Sequence, residues 1–214
     1  MNKKTVWYLA CLSVLVLFVS CDTKMSTPKT FLQEICNELN YARTNPSGYA
    51  QVVLEPRLSR FDGEKYQQDN GIYLITNEGK APVEEAITKL KTLEPCSALT
   101  LDSALCKVSD LLAQYQASTG NTGHVGPNNM TLGDRLKKYG SPQGPAGENC
   151  AYGPKTPREI VAQLIIDDGV PGRGHRENIF NANFKLVGIS YIEGARAAYG
   201  SVCVMDFATA YTAK

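Results

Sequence analysis

The hydrophobic period changes once along this chain, and that change limits the folds open to it. From Phe31 to Ile165 apolar residues recur in blocks at helical spacing; from Leu186 onward they alternate. A period near 3.6 belongs to a helix with one buried face, and a period of 2 to a half-buried strand. Phe31, Ile35, Leu39 and Ala42 form the first stripe, and Val83, Ile87, Leu90 and Leu93 the second. Leu105, Val108, Leu111, Leu112 and Tyr115 form the third, followed by a short one of Leu132, Leu136 and Tyr139. Ile160, Val161, Leu164 and Ile165 form the last. Residues 186–192 and 199–208 then read as strands, joined by a turn at 193–196 into a β-hairpin. Helices early and strands late is an α+β order, in which a small, mostly antiparallel sheet is covered by helices.

Local chemistry fixes where these elements begin and end. Asn45-Pro46 stops the first helix, because the residue before proline avoids the helical region. Pro82 suits a first helical position, and Asp102 is a good N-cap for the third stripe. Thr131 caps the short helix, and Thr156-Pro157-Arg158-Glu159 is a capping box with proline just inside it. That last helix is expected to run through Asp167 and Asp168 to a Gly169 cap. Two acids in a last turn oppose the helix dipole at about 0.3–1 kcal/mol each, so a local role is expected of them. Residues 55–80 read as an irregular surface excursion, residues 140–147 as a Pro/Gly loop, and 149–152 as a short strand.

The amino terminus carries a leader. Lys3 and Lys4 precede an apolar run at 6–19 that ends in Val19-Ser20-Cys21. The run is too short for a spanning helix and reads as a signal peptide. A small residue before Cys21 resembles a bacterial lipoprotein signal, in which Cys21 would be lipidated and would anchor the chain to a membrane surface; ordinary secretory cleavage is the alternative. The expected organisation is a leader at 1–21, a tether at 22–29 and one domain at 30–214. The product is exported, either held at the membrane or secreted. With 22 basic and 21 acidic residues and no basic stripe, nucleic acid is excluded as a partner, and a monomer is expected. Past the leader, Cys36, Cys96, Cys106, Cys150 and Cys203 remain. An exported chain permits disulfides, and Cys150–Cys203 and Cys36–Cys106 are the candidate pairs; otherwise these are small buried hydrophobes.

Four polar side chains fall at expected element ends: His124, Glu148, Asp168 and His175. These include both histidines of the chain. Two imidazoles and two carboxylates suit a divalent metal, zinc above all, and equally suit acid–base chemistry. No tight spacing links them, and no serine has a nucleophile-elbow context.

Four segments together resemble the CAP superfamily of cysteine-rich secretory, antigen 5 and pathogenesis-related proteins, in its bacterial extracellular SCP-like branch. These are Asn40-Tyr41-Ala42-Arg43-Thr44-Asn45-Pro46, Leu99-Thr100-Leu101-Asp102, Gly147-Glu148-Asn149-Cys150-Ala151-Tyr152-Gly153 and Gly174-His175-Arg176-Glu177-Asn178-Ile179-Phe180. The resemblance implies an α-β-α sandwich with a central cleft. It also implies a tetrad of His124, Glu148, His175 and an acid before the second histidine, placed at Asp168. Zinc held by His124 and His175, supported by Glu148 and Asp168, is implied in the same way. So is binding of a small apolar (lipid or sterol-like) or peptide ligand. The alternatives are a metal-assisted hydrolase using His124, Glu148 and His175, and a protein-interaction module whose tetrad is structural.

Overall fold

A computed structural model describes residues 28–194 and 196–214. The leader and Cys21 lie outside the described residues. Helix α1 (Pro28–Thr44) is followed by the short α2 (Pro46–Tyr49), capped by the Asn45 side chain. A π-helical turn at Ala50–Leu54 and a 3-10 segment at Glu55–Arg60 continue it. Three short strands, β1 (Phe61–Asp62), β2 (Lys65–Gln67) and β3 (Tyr73–Ile75), form a small antiparallel sheet. The excursion is therefore ordered. Its strands of two or three residues are too short to leave an alternating pattern.

Helix α3 (Ala81–Thr92) and strand β4 (Thr100–Leu101) lead to α4 (Ser103–Thr119). The Asp102 carboxylate accepts from the backbone N–H of Ala104 and Leu105, and Gly120 closes α4 in the left-handed region at φ 79°. Helix α5 (Leu132–Tyr139) starts with a capping box of Thr131 and Asp134. Strand β5 (Gly140–Tyr152) runs directly from it, so the Pro/Gly stretch is strand and not loop. Its register shifts between Gln143 and Ala146, and it lies at the sheet edge. Prolines are tolerated in such a place because an edge strand has no ladder partner on one side. Helices α6 (Pro157–Ile166) and α7 (Gly174–Ile179) precede the hairpin of β6 (Leu186–Glu193) and β7 (Ser201–Ala213).

The main sheet has the order β4-β6-β7-β5, with β4 parallel to β6 and the other pairs antiparallel. Alternation along β7 feeds two cores. Cys203, Met205 and Phe207 join residues of α1, α3 and α6. Val202, Val204 and Ala208 pack toward α4 and α5. This is the expected three-layer α-β-α arrangement. The five described cysteines are free thiols, so neither expected pair is formed. Cys150 lies in the core on the α4 side and Cys203 in the core on the α1 side, so a sheet separates them. Cys36 and Cys106 ride on α1 and α4 and lie near enough for a Cys106 charge to act on Cys36, yet they are unpaired.

Arg43, in the first motif, is fully buried. Its guanidinium donates to the carbonyls of Ser97, Ile179, Asn181 and Phe184, tying α1 to the segments that lead into β4 and β6. Its job is to satisfy otherwise orphaned backbone acceptors, not chemistry.

Candidate functional site

The site forms where two helix ends meet the inner half of β5. After α4, the chain turns back at Gly120 and is held in place twice. Gln116 Nε2 donates to the Gly123 carbonyl at 2.6 Å, and the Gly123 N–H donates to the Tyr152 hydroxyl at 2.8 Å. His124 is thereby set beside β5. Its Nδ1 lies 2.9 Å from Glu148 Oε1. The other Glu148 oxygen accepts from Arg135 of α5. Arg135 is completely buried and also donates to the His124 carbonyl at 3.1 Å and the Met130 carbonyl at 3.2 Å. One guanidinium thus fixes both the backbone of His124 and the carboxylate that orients its ring.

The second histidine is built the same way from α6 and α7. Helix α6 ends at Ile166, two residues before the expected end, and Asp167 takes the left-handed conformation at φ 59°. Aspartate tolerates that region better than most residues. From there Asp167 Oδ2 accepts the His175 backbone N–H at 2.9 Å, and Oδ1 lies 2.6 Å from His175 Nδ1. His175 occupies the first turn of α7. Arg176 closes the exposed end of α6 by donating to the carbonyls of Ile165 and Ile166.

The acid placed at Asp168 is therefore corrected to Asp167. Asp168 points the other way, accepting from Asn77 N at 2.7 Å, Asn77 Nδ2 at 3.1 Å and Glu78 N at 2.9 Å. It ties the small-sheet excursion to the His175 loop. Arg173 strengthens the same tie through ion pairs to Glu78 and Glu85. His124, Glu148 and His175 are brought together as expected. The His124 and His175 rings lie 6.3 Å apart between centroids at an interplanar angle of 41°. Asn149 and Asn178 bridge the two halves. Asn149 Nδ2 donates to the His175 carbonyl at 2.9 Å, and Asn178 Nδ2 donates to Asn149 Oδ1 at 2.9 Å and to the Glu148 carbonyl. Gly147 is required beside them, since a Cβ there would sit 2.8 Å from Asn178 Oδ1 and 3.1 Å from Phe184.

Each imidazole thus has one nitrogen committed to a buried carboxylate. A carboxylate only accepts, so in the neutral form of each ring Nδ1 carries the proton and Nε2 the lone pair. The hydrogen bond to Glu148 raises the pKa of His124, outweighing the lowering by burial. His124, Glu148 and Cys150 also form a group whose ligand atoms lie within 4.8 Å of one another, a spacing that could hold a metal ion. Two observations weigh against that pocket. Burial pushes the Cys150 thiol well above its ordinary value, and its sulfur donates to the Gly123 carbonyl. Both Glu148 oxygens are already shared between Arg135 and His124. Glu148 and Asp167 therefore orient the two imidazoles, as carboxylates commonly do behind histidine ligands.

Sequence reasoning missed Asp167, Arg135, Asn149 and Asn178. For Asp167 a signal existed, because the apolar stripe of α6 ends at Ile165 and leaves room for an earlier helix end.

The model of the cysteine-rich secretory protein family, CAP, matches residues 37–207. An uncharacterized protein of Bacillus subtilis (strain 168), YkwD, is 32% identical over 109 residues. The matched stretch is 51% of this chain and 38% of that relative, so the chain spans well under half of its length. Among solved structures, an extracellular SCP-domain protein from Bacillus anthracis is 22% identical at a TM-score of 0.39, covering 53% of this chain and 34% of its own. An outer surface protein from Borrelia burgdorferi is 21% identical at a TM-score of 0.41, covering 56% and 80%.

Proposed function

The chain belongs to the cysteine-rich secretory protein (CAP) family, and from that premise we propose that it is an exported surface protein whose cleft binds a divalent metal through Nε2 of His124 and His175. The observation that carries the reading is the matched pair of carboxylate–imidazole contacts, Glu148 to His124 and Asp167 to His175. They hold two neighbouring rings with the same nitrogen committed and the other without a hydrogen-bond partner among the described residues. Imidazole ligands favour zinc among abundant divalent ions. Two histidines leave coordination positions for water or for a ligand, so the expected site is exchangeable rather than structural. A small apolar or peptide ligand would complete it. The leader and Cys21 support export and a lipid anchor.

The test is zinc titration of the metal-stripped protein by calorimetry. Micromolar binding, about −8 kcal/mol, that is lost in the His124→Ala/His175→Ala double variant supports the reading. No heat, or binding that survives the double substitution, removes it. The site would then serve to hold its loops together, and function would lie in contacts with other proteins.

A further inference from the structure

Asp206 takes part in none of the chemistry described so far, yet it lies directly behind the site. It is on β7, 0% exposed, and is the register partner of Glu148 on β5 and of Gly188 on β6. Register partners in an antiparallel pair point to the same face, so the three residues form one row across the sheet under α4. Gly188 makes that row possible. A Cβ there would sit 2.1 Å from the Leu105 carbonyl carbon, so α4 rests its backbone on the sheet at this point. The close approach brings Ser109 Oγ to 2.9 Å from Asp206 Oδ2 and 3.0 Å from the Gly188 carbonyl.

The remaining oxygen, Asp206 Oδ1, is buried and has no hydrogen-bond donor among the described residues. Beside Asp206 is the carboxylate of its register partner Glu148, close enough to hydrogen-bond it, whose negative charge is balanced by Arg135. The other titratable groups around Asp206 are the thiols of Cys106 and Cys150 and the phenol of Tyr211; none is cationic. Two buried carboxylates side by side with one guanidinium cannot both be ionised, and the one without the cation holds the proton.

We propose that Asp206 is a positioning residue for the His124 half of the site: it stays a neutral carboxylic acid whose Oδ1–H donates to the Glu148 carboxylate. The same bond satisfies the orphaned oxygen and gives Glu148 a third anchor, from the sheet side. Burial, together with the neighbouring Glu148 charge, holds the Asp206 carboxyl well above the usual carboxylate range, in agreement with this assignment. The chain Ser109–Asp206–Glu148–His124 then runs without a break from the α4 backbone to the cleft. It rests on Glu148 orienting His124 and not on metal binding.

The experiment uses the intact, metal-free chain with Asp206→Asn and Asp206→Leu. Infrared spectroscopy at neutral pH should show the carbonyl band of a protonated carboxylic acid in the wild type, absent from Asp206→Asn. The C2 proton of His124, followed by NMR, should titrate in Asp206→Asn as in the wild type, because an amide N–H replaces the acid O–H. In Asp206→Leu the titration should fall back toward that of an ordinary imidazole, because Glu148 loses its anchor. A role in packing alone would not move that midpoint. Absence of the infrared band in the wild type overturns the proposal. So does an Asp206→Asn variant whose His124 titration collapses, or an Asp206→Leu variant whose titration is unchanged. If Asp206→Leu does not fold, the infrared band and the Asp206→Asn titration decide. All readouts are taken without metal, so zinc titration can fail while this proposal stands, and the reverse.

Discussion

Asp167 and Asp168 are neighbours of the same type, and the structure gives them unequal work, so replacing each by asparagine is a sharp test of the site. Asp167 is 3% exposed, and its two oxygens accept from the His175 backbone N–H at 2.9 Å and from the ring Nδ1 at 2.6 Å. Asparagine keeps the shape and tolerates the left-handed backbone, but it offers a single oxygen. One of the two buried donors must then face an NH2 group. A hydrogen bond to a charged group contributes about 1.5–3 kcal/mol, so Asp167→Asn is expected to cost about 2–3 kcal/mol. For a domain of this size that lowers Tm by about 4–12 °C. Asp168 is solvent-accessible, and its asparagine variant should cost about 1 kcal/mol or less. Urea unfolding of both variants measures the difference. Zinc titration supplies a second readout, because losing an orienting carboxylate typically weakens a histidine-bound metal about 10–100-fold. Asp168→Asn should leave the affinity unchanged. Equal losses in the two variants, in stability and in affinity, would refute the assignment of Asp167 as the fourth member of the site.

Other substitutions probe the rest of the frame. Arg135→Leu strips Glu148 of its buried partner and should destabilise the protein by about 3–5 kcal/mol in urea unfolding. Gly188→Ala would drive a methyl group into the backbone of α4 and should cost about 2–3 kcal/mol. Glu148→Gln removes the partner that raises the His124 pKa, so the His124 midpoint should fall in an NMR titration. A base with a raised pKa contributes stability that is fully present below about pH 6.5 and is lost as pH rises through the native value. The wild type should therefore be more stable at pH 6 than at pH 8 by an increment that shrinks in Glu148→Gln.

The parts of this molecule that depend on residues close in sequence were legible before the structure. The Asp102 cap, the Thr131 and Thr156 starts and the period-2 alternation of β6 all act within one or two turns, and the elements follow them. His124, Glu148 and His175 were found because they carry chemistry at element ends. Asp168 was chosen over Asp167 because Gly169 looked like the helix cap. The stop was instead an aspartate in the left-handed region, which reads like any other polar residue in sequence. Strand β5 was mistaken for a loop up to Gly147 because Pro142 and Pro145 argue against a strand, and only its place at the sheet edge removes the objection. Arg135, Asn149, Asn178 and Asp206 act between elements. Asn149, Asn178 and Asp206 have partners 26 to 97 residues away, and Arg135 reaches Glu148 on a different element 13 residues on; local pattern carries no trace of such pairings.

The order β4-β6-β7-β5 sets a timetable for the nascent chain. The last strand made, residues 201–213, lies between two strands made earlier and supplies the ladder partner of both. Until it emerges, β5 and β6 cannot pair, the row of Gly188, Asp206 and Glu148 does not exist, and α4 has only part of its floor. At about 5–20 residues per second, synthesis of the final hairpin takes a few seconds. The histidine cleft thus waits for the last-made strand of its own sheet, and a chain passing through an export channel before then would travel without a finished sheet to unfold.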